Sequence, residues 1–295
     1  MLSILPQLLV SGILIGGVYA LLSIGLTLIF GVLRIVNFAQ GEFIMLAMFG
    51  AFWMNTLWGV DPYLSAVVVV PVIFVLGMLV ERYVIQRILF APHSMQIFAT
   101  FGVSVLLQNL ALTLWGPDYR SVTTAYTSLA YTVGGLSLSA TSLFAFIAAL
   151  LMAAGLIGFL HLTRNGRALR AMVQNRYAAN LMGVDTKRLN RIAFGVGVAC
   201  AAVSGCILTP MYYTFPTVGI DLIITGFVVV VLGGMGSVAG AIVGGLIIGI
   251  AQTLTGFYLS VEFKDVVALL LFIVILLVRP QGLFGRKGAE EMGTK

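Results

Sequence analysis

RNGRALRAMVQNRYAANLMGVDTKRLNR, residues 164 to 191, is the one long polar and basic interruption in a chain that is otherwise almost continuously apolar. It carries Arg164, Arg167, Arg170, Arg176, Lys187, Arg188 and Arg191 against a single acid, Asp185. Basic residues in short connections between apolar spans gather on the cytoplasmic side of a membrane. The stretch is therefore assigned to the inner face, where a soluble partner can push on a membrane-embedded chain.

Working outward, hydrophobic residues make up 60% of the 295, charged residues 9%, and the mean hydropathy is +1.10. A soluble domain is roughly half apolar and about a quarter charged, so this composition belongs in a bilayer. Apolar runs near the ~20 residues that cross ~30 Å of hydrocarbon recur throughout, and no polar stretch is long enough for a separate globular domain. We read residues 1–295 as one all-α, polytopic membrane domain with a cytoplasmic loop at 164–191. The spans fall at 5 to 30, 41 to 57, 63 to 82, 95 to 115, 141 to 162, 191 to 210, 222 to 234, 238 to 258 and 264 to 279. That is nine crossings, or eight if one is re-entrant.

Basic residues assign the sides. Arg82, Arg87, the 164–191 loop, Arg279, Arg286, Lys287 and Lys295 all fall inside under one alternating topology, which puts the N-terminus outside and the C-terminus in the cytoplasm. Asp61, Asp118, Asp221, Glu262 and Asp265 lie at the opposite ends with Arg120 and Lys264. The net charge of +6 reflects this orientation rather than nucleic-acid binding, because the cations sit in short loops beside spans. Residues 4 to 30 lack a basic segment before them and are too long for a signal sequence, so no cleavage is expected. Cys200 and Cys206, six apart on one helix, point about 240° apart and read as packing residues.

Two breaks interrupt the helical pattern: Gly31 to Glu42, with Arg34, Asn37, Gln40 and Glu42 in apolar surroundings, and Leu232-Gly233-Gly234-Met235-Gly236-Ser237. Non-helical backbone at membrane depth needs protein or a water-filled cavity to satisfy it, so both breaks point to the bundle interior. Glycines four apart, Gly12 and Gly16, Gly236, Gly240 and Gly244, then Gly245 and Gly249, let helices approach closely, within the chain or at a subunit interface. Glu42 is costly toward the middle of a helix, and Arg34 is its nearby neutralising candidate; it is either a structural ion-pair member or part of a translocation path. Asn37 and Gln40 cap helix ends or join that path. Tyr19, Gln108, Asn109 and Gln252 are uncharged polar residues inside spans, available to interhelical hydrogen bonds or to a pathway for a small zwitterion.

Within the basic loop, Arg167 to Gln174 has good helix formers with Ala168, Leu169 and Met172 on one stripe, so a short amphipathic helix is expected. A second apolar turn includes Leu181 and Met182, Gly183 reads as its C-terminal cap, and Asp185 as the cap of the next helix. Such a hairpin must bury its stripe against the headgroup layer or a protein groove.

Taken in order, the blocks Gly16 to Leu21, Asn37-Phe-Ala-Gln-Gly-Glu42, Gly166 to Ala171 with Leu181 to Val184, Leu232 to Ser237, and Arg279-Pro-Gln-Gly-Leu-Phe-Gly285 closely resemble the branched-chain amino acid ABC transporter permease family, specifically its shorter permease subunit. The resemblance spans nearly the whole chain. It implies a bacterial inner-membrane importer in which this subunit stands beside a second related permease, two cytoplasmic ATPases and a periplasmic solute-binding protein. It also implies a fold similar to cobalamin-type importer permeases, with some helices broken, and gives Arg167, Ala168, Leu169, Arg170, Met172, Leu181, Met182 and Gly183 the role of docking into the ATPase. Relatives often carry His where this chain has Gln40. Urea, short-amide and aromatic-acid carriers belong to the same family and are the alternative substrates.

No Gly-x-x-x-x-Gly-Lys-Ser/Thr phosphate loop occurs, so ATP is expected to bind to the partners and the chain to need no cofactor of its own. It is therefore read as a transport subunit, not an enzyme. His93 and His161 show no metal-ligand spacing. An ion-coupled secondary transporter is the competing class, with Glu42 its one intramembrane carboxylate.

Overall fold

The computed structural model describes residues 4–133 and 136–285. Arg286, Lys287 and Lys295, assigned above to the inner side, lie outside the described residues. Every apolar stretch proposed as a span is helical. The elements are α1 (Leu5–Leu33), α2 (Gln40–Trp58), α3 (Pro62–Val80) continued through a π-turn (Glu81–Ile85) into α4 (Gln86–Ile88), and α5 (His93–Trp115). An antiparallel hairpin, β1 (Ala130–Val133) and β2 (Leu136–Ser139), leads into α6 (Ala140–Leu162). Next come α7 (Arg164–Gln174), α8 (Arg176–Leu181), α9 (Thr186–Leu208), α10 (Val218–Gly233), α11 (Val238–Tyr258) and α12 (Lys264–Val278).

Among the described residues six helices are long and apolar enough to cross a membrane, and the shorter Val218–Gly233 is apolar too, so the chain is a polytopic all-α membrane protein. The third span runs on to Ile88, past the expected end at 82. Glu81 and Arg82 interrupt the apolar pattern there, but the π-turn carries the helix through them.

α1 is the central post. Most of it is buried, and α11, α9, α6 and α10 all pack around it. Its tightest neighbour is α11, and the glycine spacing explains why. A Cβ on Gly16 would stand 2.7 Å from the Cα of Leu246, and one on Gly245 would stand 2.7 Å from the amide nitrogen of Ala20. The glycines are thus used inside the chain, letting two backbones touch where no side chain fits. Gly16→Val is expected to prevent this seating and destabilise the fold by about 3 kcal/mol or more, read as loss of a monodisperse peak in detergent. Cys200 and Cys206 are both buried and unbonded, as packing residues should be.

The first break does more than join two helices. Gln40 Nε2 donates to the Gly197 carbonyl at 3.0 Å, and a Cβ on Gly25 would lie 2.8 Å from the same nitrogen. α2 therefore begins level with Gly25, eight residues before the end of α1, or ~12 Å back along its axis. The chain leaves α1 at Arg34, in a left-handed conformation (φ 59°), and climbs back into the bundle. On the other side Thr209 to Thr217 precede α10, whose Gly219 is packed against Gly41 of α2.

The second break is locked by the C-terminal segment. Leu283 N donates to the Leu232 carbonyl at 3.0 Å and Phe284 N to the Gly233 carbonyl at 2.9 Å. Gly234, Gly236 and Gly282 take φ of 103°, 87° and 77°, which side-chain-bearing residues rarely adopt. Two glycine blocks 46 residues apart in sequence, Gly236 and Gly282, thus belong to one knot.

On the opposite side, the loop after α5 is pinned rather than loose. Arg120 and Thr214 exchange backbone hydrogen bonds at 3.0 and 2.7 Å, and the Tyr126 hydroxyl donates to Asp61 at 2.9 Å. Burial holds that hydroxyl protonated well above the ordinary range of tyrosine.

Candidate functional site: an inner hairpin and two cavities

The basic loop folds as two short helices set by local capping. Thr163 Oγ1 accepts from Gly166 N at 2.9 Å to start α7, Asn175 Oδ1 accepts from Ala178 N at 2.9 Å to start α8, and Asp185 Oδ1 accepts from Arg188 N at 3.0 Å to start α9. Gly183 has φ 80° and closes α8, as its position in the sequence requires. Gly166 is needed for the sharp turn out of α6, since a Cβ there would sit 2.6 Å from the Cα of Leu160.

The exposed face of the hairpin is not the apolar stripe read in the sequence. Leu169 and Met172 are 0% and 4% exposed and belong to the chain's own core, and Ala168 is partly buried against it. The amphipathic stripe is satisfied by this protein itself, so these three side chains are not available to a partner. Leu181 and Met182, at 70% and 84% exposed, are open together with Gly183, Arg167 and Arg170. Tyr177, exposed on the same short helix, was not singled out by the pattern because an isolated aromatic gives no periodic signal. Arg170 is held by a 3.0 Å bond from Nε to the Leu160 carbonyl.

Behind the hairpin lies a buried ion pair that the sequence reading missed. Glu81, at the start of the π-turn, has no exposed side-chain surface, and Arg191 Nε in α9 is 3.7 Å from its Oε2. Arg176 of α8 adds to the positive surroundings and packs on Phe90 at 5.0 Å. The signal that could have found the pair was the lone acid Glu81 between apolar runs, level with the first residues of a basic-ended helix.

Two cavities open beside α1 and α11, the first also against α6 and α7, the second also against α10 and α12. The one beside the hairpin, called the inner cavity, has a volume of 640 Å³ and is lined by Thr27 and Gly31 of α1, by Leu169 and Gln174 of α7, by Ser237 and by Phe284. One wall is thus the inner hairpin and another is the knotted second break. The one farther from the hairpin, called the outer cavity, has a volume of 540 Å³ and is lined by Tyr19, Tyr212, Leu222, Ile248, Gln252 and Asp265 among others. Along α1 the outer cavity ends at Leu22 and the inner begins at Thr27, a separation of five residues or ~7.5 Å.

The expected path residues divide among three places. Tyr19 and Gln252 meet at the outer cavity: the Tyr19 hydroxyl donates to Gln252 Oε1, and Gln252 Nε2 donates to Asp265 Oδ1 at 3.3 Å. Asn37 and Gln40 are fully buried in the first break, where Asn37 Nδ2 donates to Gln40 Oε1 at 3.1 Å and Asn37 Oδ1 accepts from Ala39 N at 3.2 Å. They stabilise the turn of the chain into the bundle. Replacing Gln40 by Leu removes two of these buried bonds and is expected to lower stability by about 1–3 kcal/mol, measurable as a reduced melting temperature of the purified protein. Gln108 is half-buried and Asn109 exposed on α5, where Asn109 Nδ2 donates to the Val105 carbonyl at 2.8 Å; neither lines either of these two cavities.

Glu42 also departs from expectation. Its Oε1 accepts from Ser104 of α5 at 3.1 Å, and Oε2 has no hydrogen-bond partner among the described residues. Arg34 does not pair with it, because Arg34 stands exposed at the end of α1 whereas α2 begins ~12 Å deeper. Glu42 lies in the first turn of α2, beside Gly219 in the first turn of α10, so two positive helix ends help hold its carboxylate. Among the described residues no three His, Cys, Asp or Glu side chains gather as a metal site.

A bundle of apolar helices of membrane-spanning length, with two cavities spaced along α1 and a capped polar hairpin beside one of them, has the build of a membrane transport permease. The chain belongs to the family described as branched-chain amino acid transport system, permease component, which it matches over residues 8–276. It is 32% identical over 303 residues to the high-affinity branched-chain amino acid transport system permease protein LivH of Escherichia coli K12, covering 97% of each chain. It is 30% identical over 299 residues to the corresponding permease BraD of Pseudomonas aeruginosa, again covering 97% of each. A more distant similarity, 30% over 217 residues, links it to the inner membrane ABC transporter permease protein YjfF of Escherichia coli, with 69% of this chain and 62% of that one covered.

Proposed function

We propose that this chain is the membrane subunit of an ABC importer that carries branched-chain amino acids into the cytoplasm by alternating access. Its partners are a second related permease, two cytoplasmic ATPases and a periplasmic binding protein. ATP is bound by the ATPases, which engage Leu181, Met182 and the neighbouring arginines. The membrane is the bacterial inner membrane, the N-terminus lies outside, the C-terminus lies in the cytoplasm, and the nine helices cross in an arrangement similar to that of cobalamin-type importer permeases.

The observation that carries the mechanism is the position of α7, whose Leu169 and Gln174 form a wall of the inner cavity while α8 beside it is exposed. A push on the hairpin therefore deforms the inner mouth directly. Because the two cavities lie ~7.5 Å apart along α1, a modest rocking of α1, α10 and α11 closes one and opens the other. Full-length relatives named for branched-chain amino acid transport support the substrate class.

Reconstitution of the chain with its partner subunits in proteoliposomes tests this reading. Leucine uptake that requires ATP hydrolysis, exceeds uptake of urea and short amides, and persists without an ion gradient is the expected result. Uptake that survives ATP depletion and collapses with the ion gradient identifies a secondary transporter instead.

A further inference from the structure

We propose that the outer cavity of this subunit is itself a binding site for a free α-amino acid with a branched side chain, with Asp265 holding the ammonium group. The inference rests on the importer reading and specifies where, within this chain, the solute is first received. A volume of 540 Å³ lies in the range that holds small ligands, about 300–1,000 Å³, and the lining is of the mixed kind such sites need. Leu22, Leu222, Ile248 and Leu269 supply an apolar surface for an aliphatic side chain.

The polar end is organised rather than incidental. Tyr19 fixes Gln252, and Gln252 fixes Asp265 through a 3.3 Å bond, so a chain of two hydrogen bonds running from α1 through α11 to α12 orients one carboxylate at the cavity wall. Gln252 is 5% exposed, and both ends of its amide are used in this relay. A carboxylate oriented in this way suits an ammonium group, for which a charge-assisted hydrogen bond gives both strength and direction. The hydroxyls of Tyr212 and Tyr213, on the same lining, are donors for the solute's carboxylate. The same arrangement selects against urea, which has neither a cation for Asp265 nor an aliphatic group for the apolar wall.

Equilibrium binding of radiolabelled leucine to the purified complete transporter, without binding protein or nucleotide, tests the proposal. Unlabelled isoleucine should displace it, whereas N-acetyl-leucine, which lacks the ammonium group, should not. Asp265→Asn should weaken binding by about tenfold or more, and Leu222→Trp, which fills the cavity from its apolar side, should abolish it while the transporter still assembles. Displacement by N-acetyl-leucine as effective as by isoleucine, or wild-type binding in both variants, overturns the proposal. Uptake in the reconstituted system separates the two readings: binding without ATP-dependent uptake keeps this site and rejects the importer, and uptake without binding does the reverse.

Discussion

Replacing Leu181 and Met182 together by aspartate is expected to leave the protein folded and inserted while lowering ATP-driven uptake at least about tenfold. Both side chains are open to solvent, 70% and 84% exposed, so charging them removes no internal packing. A groove on a partner that receives two apolar side chains must instead desolvate two carboxylates, which costs several kcal/mol and releases the contact. The contrasting variant is Leu169→Asp. Its side chain is 0% exposed within the main core, so a carboxylate there should prevent folding rather than uncouple a folded protein. Size-exclusion profile, co-purification of the ATPase and uptake, measured on both variants, separate a docking surface from a structural stripe. Normal co-purification and uptake in the Leu181→Asp, Met182→Asp protein would exclude these residues from the contact.

The second large effect concerns the ion pair behind the hairpin. Arg191→Met leaves Glu81, which has no exposed side-chain surface, without its nearest cation. Removing one partner of a buried pair costs about 3–5 kcal/mol, because a desolvated charge remains. Arg191 itself keeps 33% of its side-chain surface, which puts the expected loss toward the lower end of that range. The double variant Glu81→Met, Arg191→Met removes both charges and should recover most of the stability. Its transport is the informative readout: the pair joins the π-turn of the third span to the start of α9, directly after the hairpin, so a stable double variant with impaired uptake assigns it to transmission of the hairpin's movement. Thermal unfolding of wild type, Arg191→Met, Glu81→Met and the double variant gives the stability cycle, and equal melting temperatures for wild type and Arg191→Met would contradict a stabilising pair.

The membrane fold was legible because hydrocarbon imposes a simple rule on sequence. Runs of apolar residues near span length had to become helices, and all nine did, with capping residues such as Asp61, Asp185 and Ser237 at the starts. The glycine spacing in α1 and α11 was equally readable, since backbone contact is the one packing mode that excludes every side chain. Periodicity could not say which surface an amphipathic stripe meets. Ala168, Leu169 and Met172 formed a correct stripe, but its partner was this chain's own core.

The same limit explains Glu42 and the outer cavity. Sequence neighbours suggested Arg34, eight positions away, whereas the re-entrant path of the first break carries Glu42 deep into the bundle and brings Ser104 to it instead. Asp265, 13 positions from Gln252, looked like an acid at a helix end, and only the packing of α11 against α12 turns it into the end of a hydrogen-bonded relay. Long-range pairing of this kind leaves no local signature. The knot between Leu232 to Ser237 and the segment ending at Gly285 is another case, in which two separately recognisable motifs prove to be the two halves of one structure.

The central claim is that this subunit is worked from the cytoplasmic side through its short hairpin. A single cysteine at Met182, labelled with a membrane-impermeant maleimide from either side of oriented vesicles before ATP-driven leucine transport is measured, tests it most directly. Modification from the inner side alone, with transport blocked by it, is the predicted result. Labelling from the outer side, or full transport after modification, contradicts the account.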